Sequence, residues 1–233
     1  MNDFIYPPKV EKNLIQPKIF SLLSGGIDSS IATCIAVEKG IGEVNPIFID
    51  RGHKIGVHRA YSKEKEAVKR IAEILNIYKD LIEIEIPFSW YADYKKLNPD
   101  AFPYGRNLIL MSIAAARAVT FRRSSSNIIV VGYTKNDVGD TSLDFIKAFN
   151  NTLRFAFDEN EDNRIVQVWA PLIKMRKSNV IKFAYDTGKK EIIKNTWSCY
   201  KNGERHCGEC SGCIERKEAF RKANIEDPTE YIN

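Results

Sequence analysis

The chain has 233 residues, 44% of them hydrophobic, and a formal net charge of +5, which suits one α/β domain with a small appendage and excludes wholesale disorder. No apolar run approaches the roughly 20 residues that span a bilayer, and the N-terminus lacks the apolar stretch of a signal peptide, so we expect a cytoplasmic protein with no membrane segment. The mild basic charge indicates a solvated surface, with a site for anionic nucleotides as the alternative. No basic stripe with interleaved aromatic residues is present, so we expect no direct binding of nucleic acid.

Apolar runs and helical repeats alternate along the chain. We predict strands over residues 18–23, 44–49, 81–86, 127–131 and 165–169. We predict helices over residues 28–39, 61–76, 105–120, 142–157 and 178–187, the third of them nearly all apolar and therefore buried. This alternation predicts an α/β fold with a parallel, doubly wound sheet covered on both faces. We divide the chain into an N-terminal extension (1–17), an α/β domain (18–194) and a small Cys-rich helical tail (195–233).

The first predicted strand runs into a loop of glycines and small hydroxyl side chains that opens the first helix. Its residues are Ser24, Gly25, Gly26, Ile27, Asp28, Ser29 and Ser30. Glycines let the backbone approach a phosphate, and the amides at a helix N-terminus favour anions, so we favour a phosphate-binding loop over a simple glycine turn. The loop lacks the lysine of a Walker loop and the Gly-x-Gly-x-x-Gly of a dinucleotide site. Asp28 is a candidate Mg²⁺ ligand, with helix capping as the alternative.

Two basic residues stand where later helices begin. Lys177 follows the fifth strand, at the sheet edge where α/β proteins bind ligands, and we expect it to neutralise a leaving pyrophosphate. An ordinary surface lysine is the alternative, and Lys174 is the weaker candidate. Arg106 begins the apolar third helix, where a buried guanidinium needs an anionic partner. We therefore expect Arg106 in the active cleft, with an ion pair to a surface carboxylate such as Asp100 as the alternative.

Four of the five cysteines crowd into the tail, at Cys199, Cys207, Cys210 and Cys213. Four thiolates with no open position predict a structural Zn²⁺ site, and the alternatives are an iron–sulfur cluster or ligation by His206 in place of one cysteine. Gly208 and Gly212 are expected to permit tight turns between the ligands. Cys34, inside the first helix, is expected to fill the core rather than to react.

Together these motifs resemble those of the QueC family of 7-cyano-7-deazaguanine synthases, which are PP-loop ATP pyrophosphatases. The resemblance spans nearly the whole chain from Ile19. Its main segments are the loop at 24–30, Phe102-Pro103-Tyr104-Gly105-Arg106-Asn107, Gly132 with Asp137, Ala170-Pro171-Leu172 with Lys177, Thr196-Trp197-Ser198-Cys199-Tyr200, the tail from His206 to Arg216, Ala219-Phe220 and Asp227-Pro228. The resemblance implies a sheet of the adenine-nucleotide α-hydrolase type and an adenylating enzyme that uses ATP and Mg²⁺ and releases AMP and pyrophosphate.

The resemblance also implies a substrate. Members of the family adenylate the carboxylate of 7-carboxy-7-deazaguanine, form the amide with ammonia, and dehydrate it to the nitrile 7-cyano-7-deazaguanine in queuosine biosynthesis. A homodimer is implied as well. This chain departs from the family at Asp50-Arg51-Gly52-His53-Lys54, and at residues 138–144, where the loop is shorter and has no arginine.

These departures leave other functions open. A QueC-like enzyme of an anti-phage defence system, which joins a deazaguanine to a protein N-terminal amine through an amide bond, is the main alternative. A nucleotide-binding zinc module without turnover and a tRNA-modifying PP-loop protein are weaker ones.

A flat deazaguanine ring requires a plane on which to stack and polar groups for its edge. The candidates are Arg106, Asn107, Asp137, Trp197 and Tyr200. Trp197 and Tyr200 flank the first metal-ligand cysteine, and the alternative is that they only pack the tail onto the sheet. The shortened wall at residues 132–144 predicts a pocket more open than that of a nitrile synthase.

Overall fold

The computed structural model describes residues 7–8, 17–50, 61–86, 105–121, 126–135, 139–157, 165–201 and 203–232. Its strands form one parallel sheet in the order β3-β2-β1-β4-β5. They are Lys18–Leu22 (β1), Glu43–Asp50 (β2), Ile82–Glu85 (β3), Ser126–Val130 (β4) and Ile165–Trp169 (β5). All five predicted strands are confirmed to within about one residue at most ends, and the α/β parallel sheet is confirmed with them.

Helices cover both faces of this sheet. They are Ile27–Lys39 (α1), Tyr61–Ile74 (α2), Arg106–Val119 (α3), Leu143–Phe157 (α4), Lys177–Asp186 (α5), Lys190–Lys194 (α6) and Ser211–Ala223 (α7), with short 3₁₀ turns at Tyr78–Asp80 and Gly139–Thr141. The five helices predicted with bounds are confirmed. Within the described ranges, no helix is both long and apolar enough to cross a membrane.

The expectation that α3 is buried holds for only one face of the helix. Met111, Ala114 and Ala118 face the sheet and are buried, but Leu108 is 42% exposed and Ser112 lies in solvent. Small alanines supply much of the apolar character of this helix, and they do not require burial on every side.

Alternate residues of the central strands serve two separate apolar layers. Ile19 of β1 and Ile128 of β4 belong to the layer under α1, α2, α5, α6 and α7, whereas Phe20 and Ile129 belong to the layer under α3 and α4. Strands buried on both faces are typical of parallel sheets. Cys34 lies in the first layer and is 3% exposed, which confirms it as a core residue.

The tail also contributes to that first layer. Ala219 and Phe220 of α7 pack in the same apolar cluster as α1 and α5. The division at residue 194 stays a prediction.

The strand order places a ligand crevice between β1 and β4. From β1 the chain moves outward through β2 to β3, and it then returns to the other side of β1 to form β4 and β5. In doubly wound sheets, the carboxyl ends of the strands at such a reversal form the crevice in which ligands bind. The loop at residues 24–30 follows β1 directly at this point.

Candidate active site

The loop after β1 depends on Gly25 for its shape. Gly25 has φ of +79°, and a Cβ atom there would lie 2.8 Å from the carbonyl oxygen of Glu64 in α2. Only glycine adopts this conformation without strain and leaves room for α2. The loop therefore rests on α2 on one side and opens α1 on the other.

Serine hydroxyls close the loop on itself. The main-chain N–H of Ser24 donates to Ser29 Oγ at 3.2 Å, and the two hydroxyl oxygens lie 2.9 Å apart. Ser30 Oγ donates to the carbonyl oxygen of Gly26 at 2.6 Å. Ser24, Gly26 and Ser29 line the cavity described below, whereas Gly25 and Ser30 do not. The loop thus presents a rigid main chain to the crevice.

Gly132, two residues after the end of β4, permits a close approach between β4 and α1. A Cβ atom there would lie 2.4 Å from the main-chain nitrogen of Ser29 and 2.6 Å from the carbonyl carbon of Asp28. Any larger residue would push the first turn of α1 away from β4. The absence of a side chain at this position therefore holds the two walls of the crevice together.

Lys177 lies beside this loop, as expected. It begins α5, and its Nζ lies 3.2 Å from Asp28 Oδ2 and 2.7 Å from Glu215 Oε1. Burial alone would lower the pKa of Lys177, but the two carboxylates outweigh burial and raise the pKa above its ordinary value, so the ammonium stays charged. Lys174 is exposed and does not line the cavity.

Glu215 is not among the sequence-based candidates. It lies in α7, distant in sequence from Lys177, and an isolated glutamate on a polar helix is typical of a surface position. The one sequence feature that could have indicated Glu215 is its position between Cys213 and Arg216 of the family pattern.

Residues from the first turns of five helices line one cavity. This cavity has a volume of about 350 Å³, and the first turns of α1, α2, α3, α5 and α7 all contribute to its lining. A helix N-terminus carries roughly half a positive elementary charge, and each of these five helices has at least ten residues. The arrangement favours an anionic ligand that carries several charges.

Arg106 and Asn107 enter the same cavity from the start of α3. The main-chain N–H of Asn107 donates to Asp140 Oδ2 at 2.8 Å, and its Nδ2 donates to Asp140 Oδ1 at 3.1 Å. Asp140 thereby caps the N-terminus of α3, and it also accepts a hydrogen bond from the side-chain amide of Asn107. Asp137, the third polar candidate, and Asp100, the alternative partner of Arg106, lie outside the described residues.

The two aromatic candidates also line the cavity, on the side of the tail. Trp197 Nε1 donates to the carbonyl oxygen of Cys199 at 2.7 Å, and its ring centroid lies 4.1 Å from that of His206. Trp197 therefore both packs within the tail and lines the cavity. Burial and the nearby Glu215 raise the pKa of Tyr200, so its phenol stays neutral.

The four tail cysteines form a compact group. All their sulfur atoms lie within 4.8 Å of one another, with individual separations of 3.5 Å (Cys210–Cys213) and 3.9 Å (Cys207–Cys213 and Cys199–Cys210). The main-chain N–H groups of Lys201 and Cys207 donate to Cys199 Sγ at 3.3 and 3.4 Å. Such donors stabilise thiolates, and the group could hold one metal ion.

His206 takes no part in this group. Its Nε2 accepts a hydrogen bond from the main-chain N–H of Ser198 at 3.1 Å, and burial, aided by Arg216, lowers its pKa to about 4. It is a neutral acceptor that fixes the main chain at Ser198, directly before Cys199. The alternative in which His206 replaces a cysteine ligand therefore has no support.

The expectation for the two tail glycines is half right. Gly208 has φ of +79° and makes the turn between Cys207 and Cys210, as expected. Gly212 lies inside α7 instead, where a Cβ atom would lie 2.2 Å from the carbonyl oxygen of Ser198. Gly212 therefore allows α7 to pack closely against the main chain at Ser198.

Arg216 is the buried anchor of the tail and is only 1% exposed. It donates to Thr196 Oγ1 at 2.8 Å, to Ser198 Oγ at 3.1 Å and to Asp227 Oδ1 at 3.3 Å. In the sequence, Arg216 stands out only as part of the family pattern, because arginines are seldom fully buried.

Comparison with known proteins agrees with this geometry. A family model described as "Queuosine biosynthesis protein QueC" matches residues 18–224. The 7-cyano-7-deazaguanine synthase of Methanothrix thermoacetophila is 32% identical over 90% of this chain and 96% of that protein. Proteins of the same name from Rhizobium rhizogenes (32% identity, 92% of each chain) and Methanobrevibacter smithii (28% identity, 94% of this chain and 99% of the other) are also similar. This chain therefore belongs to the QueC family.

Proposed function

We propose that this protein is an ATP-dependent enzyme that converts 7-carboxy-7-deazaguanine to 7-cyano-7-deazaguanine. The names of its relatives support the product, the family resemblance implies the substrate, and the cavity at the switch point of the sheet supports the use of a nucleotide. The observation that carries the proposal is the Lys177–Asp28 pair beside the proposed phosphate-binding loop, in a cavity that the first turns of five helices line.

The loop would hold the phosphates of ATP through main-chain donors rather than through a Walker lysine. Gly26 offers an open backbone, and the first amides of α1 have no partner within the helix. Lys177 would neutralise charge on the pyrophosphate as it leaves, so ATP is cleaved between its α and β phosphates. Catalysis of this kind depends mainly on positioning and charge stabilisation.

Adenylation would serve both halves of the reaction. A carboxylate oxygen is a poor leaving group, and its adenylate expels AMP when ammonia attacks. The amide oxygen formed in this way can be activated by a second ATP, and its loss gives the nitrile. One phosphate site therefore suffices for both steps.

Two metal ions fit the residues present. Asp28 is the proposed ligand of Mg²⁺, which would supply charge neutralisation at the phosphates. Cys199, Cys207, Cys210 and Cys213 are the proposed ligands of Zn²⁺. Four sulfurs placed 2.3 Å from a tetrahedral ion lie about 3.8 Å apart, close to the three individual separations of 3.5–3.9 Å, and all four sulfurs lie within 4.8 Å of one another. This spacing favours a single ion over an iron–sulfur cluster, which needs room for several irons.

The substrate would lie against the wall opposite the loop. Arg106 and Asn107 at the start of α3 would contact its polar edge, and Trp197 or Tyr200 its ring face. We also propose that the protein works in the cytoplasm as a homodimer, as the family resemblance implies.

The acceptor amine is the least constrained part of the proposal. We take ammonia as the acceptor. The departures that suggested a protein N-terminal amine, at residues 50–54 and 138–144, lie outside the described residues except for Asp50 and residues 139–144. The structure of that described part favours neither amine, because Asp140 is engaged with Asn107.

The test is product analysis by mass spectrometry. The protein is incubated with MgATP, 7-carboxy-7-deazaguanine and ¹⁵N-labelled ammonia, and in a second reaction with a short peptide in place of ammonia. We expect AMP, pyrophosphate and a ¹⁵N-labelled nitrile in the first reaction only. ADP as the nucleotide product would contradict the adenylation, and a peptide conjugate would establish the defence-type reaction instead. The Asp28→Asn variant, which keeps the side-chain shape, serves as the inactive control.

A further inference from the structure

Lys177 lies between carboxylates from two different parts of the chain. Asp28 belongs to α1, directly after the phosphate-binding loop, and Glu215 belongs to α7 of the Cys-rich tail. The side chains of Lys177 and Asp28 are 23% and 19% exposed, but that of Glu215 is 62% exposed. The inner pair is therefore sheltered, whereas the outer carboxylate is largely hydrated.

The backbone under Glu215 is held firmly on both sides. Cys213, two residues before it, belongs to the proposed metal site, and Arg216, directly after it, is buried and bonded to Thr196 and Ser198. The position of the Glu215 backbone is thus fixed, while its hydrated side chain can turn into solvent. A residue of this kind can release its partner and recover it repeatedly.

We infer that Glu215 is the exchangeable partner of Lys177 and competes with pyrophosphate for the lysine ammonium. The inference rests on the proposed function, in which pyrophosphate is a product. When phosphate oxygens occupy the crevice, the Lys177 ammonium turns toward them and Glu215 becomes hydrated. When pyrophosphate leaves, Glu215 takes the ammonium back. Glu215 thereby lowers the affinity of the site for this product and acts as a positioning residue through Lys177.

The test measures binding of inorganic pyrophosphate, with Mg²⁺, to the metal-loaded full chain by calorimetry. Glu215→Gln keeps the length of the side chain and removes its charge. We expect this variant to bind pyrophosphate about twofold to fivefold more tightly, because a largely exposed ion pair has an effect of that order. Glu218→Gln is the matched control. It removes one carboxylate from the same helix, where Glu218 pairs with Arg221 and Lys222 and, in the described part of the chain, lies outside the cavity lining, and it should leave the affinity unchanged.

A double-mutant cycle separates exchange through the lysine from simple repulsion. In a Lys177→Met background, Glu215→Gln should no longer change pyrophosphate affinity. A gain that persists in that background would overturn the inference, since Glu215 would then act on the anion directly. Equal affinities of the wild-type and Glu215→Gln proteins would overturn this inference but leave the proposed function standing. A folded, metal-loaded wild-type protein that binds no pyrophosphate would overturn the proposed function together with it.

Discussion

The main-chain N–H of Trp197 donates a hydrogen bond of 2.8 Å to the carbonyl oxygen of Gly25. This bond joins the Cys-rich tail to the phosphate-binding loop. Trp197 is itself tied to Cys199 through its indole N–H, and its ring lies against His206. A continuous set of contacts therefore runs from the cysteine group to the loop, so a disturbance of one should reach the other.

Removal of the metal should accordingly weaken nucleotide binding. We expect one Zn²⁺ per chain by elemental analysis, since binding at such a site contributes on the order of 10 kcal/mol to folding of the segment around it. Chelation should lower the affinity for a non-hydrolysable ATP analogue, measured by calorimetry, and make the four tail thiols reactive. Cys210→Ser should have the same effect.

The control for this prediction is Cys34→Ala. Burial and the nearby Glu38 raise the pKa of Cys34 to about 11, so this thiol should stay unreactive in the native protein and its loss should leave the metal content unchanged. A metal-free protein that is folded and binds the analogue normally would refute the prediction.

Two glycines of the site should respond differently to substitution by alanine. At Gly132 the new Cβ atom meets the α1 backbone at 2.4 Å, so we expect a loss of about 1–3 kcal/mol in the free energy of unfolding as well as weaker nucleotide binding. At Gly26 the nearest atom is 3.6 Å away, so stability should fall by no more than about 1 kcal/mol.

Gly26→Ala should nevertheless bind the ATP analogue roughly tenfold more weakly, or worse, because the methyl group stands where phosphates must approach the backbone. Denaturant unfolding and calorimetry on both variants make the comparison. Normal binding by Gly26→Ala would show that the loop does not hold phosphates closely.

Sequence patterns were sufficient to predict the strands of the sheet and the glycine-rich loop that follows β1. The apolar runs are long, and the glycines follow β1 directly, so local signals decide both. They could not define α6, which has only five residues, nor the bounds of α7, whose buried face includes the charged Arg216. Amphipathic periodicity is weak when a helix is very short or buries a cation.

The contacts between distant residues were beyond the sequence. The ion pair of Lys177 with Glu215, the capping of α3 by Asp140 and the approach of Gly212 to Ser198 all join segments that only the tertiary fold brings together. Glu215 and Asp140 also lack a distinctive sequence context, since glutamate and aspartate are common on surfaces.

Arg106→Lys should impair turnover more than stability. Arg106 lines the cavity at the start of α3, and lysine keeps the charge but loses the planar pair of donors. We expect kcat/KM to fall roughly tenfold or more, as one charge-assisted hydrogen bond contributes about 1.5–3 kcal/mol. Arg117→Lys is the control, since Arg117 lies in the last turn of the same helix and contacts Thr120 and Phe121. Unchanged kinetics for Arg106→Lys would place its partner on the surface.

Arg216→Lys should chiefly lower stability. A lysine cannot reach Thr196, Ser198 and Asp227 together, and it would leave buried acceptors without donors. We expect the free energy of unfolding to fall by about 3 kcal/mol, with accelerated loss of metal, as measured by chemical denaturation and by transfer of zinc to a colorimetric chelator. Wild-type stability in this variant would mean that the tail is held mainly by its metal.

The lining of one cavity by the first turns of five helices has an evolutionary consequence. Main-chain N–H groups are present whatever side chain a codon specifies, and the attraction that helix N-termini exert on anions survives any substitution that preserves the helices. The residues of the opposite wall can therefore diverge, and admit a different ring or a different amine, without loss of this attraction. A chain about 30% identical to its relatives can thus differ from them in most side chains while its own helix N-termini still favour an anion.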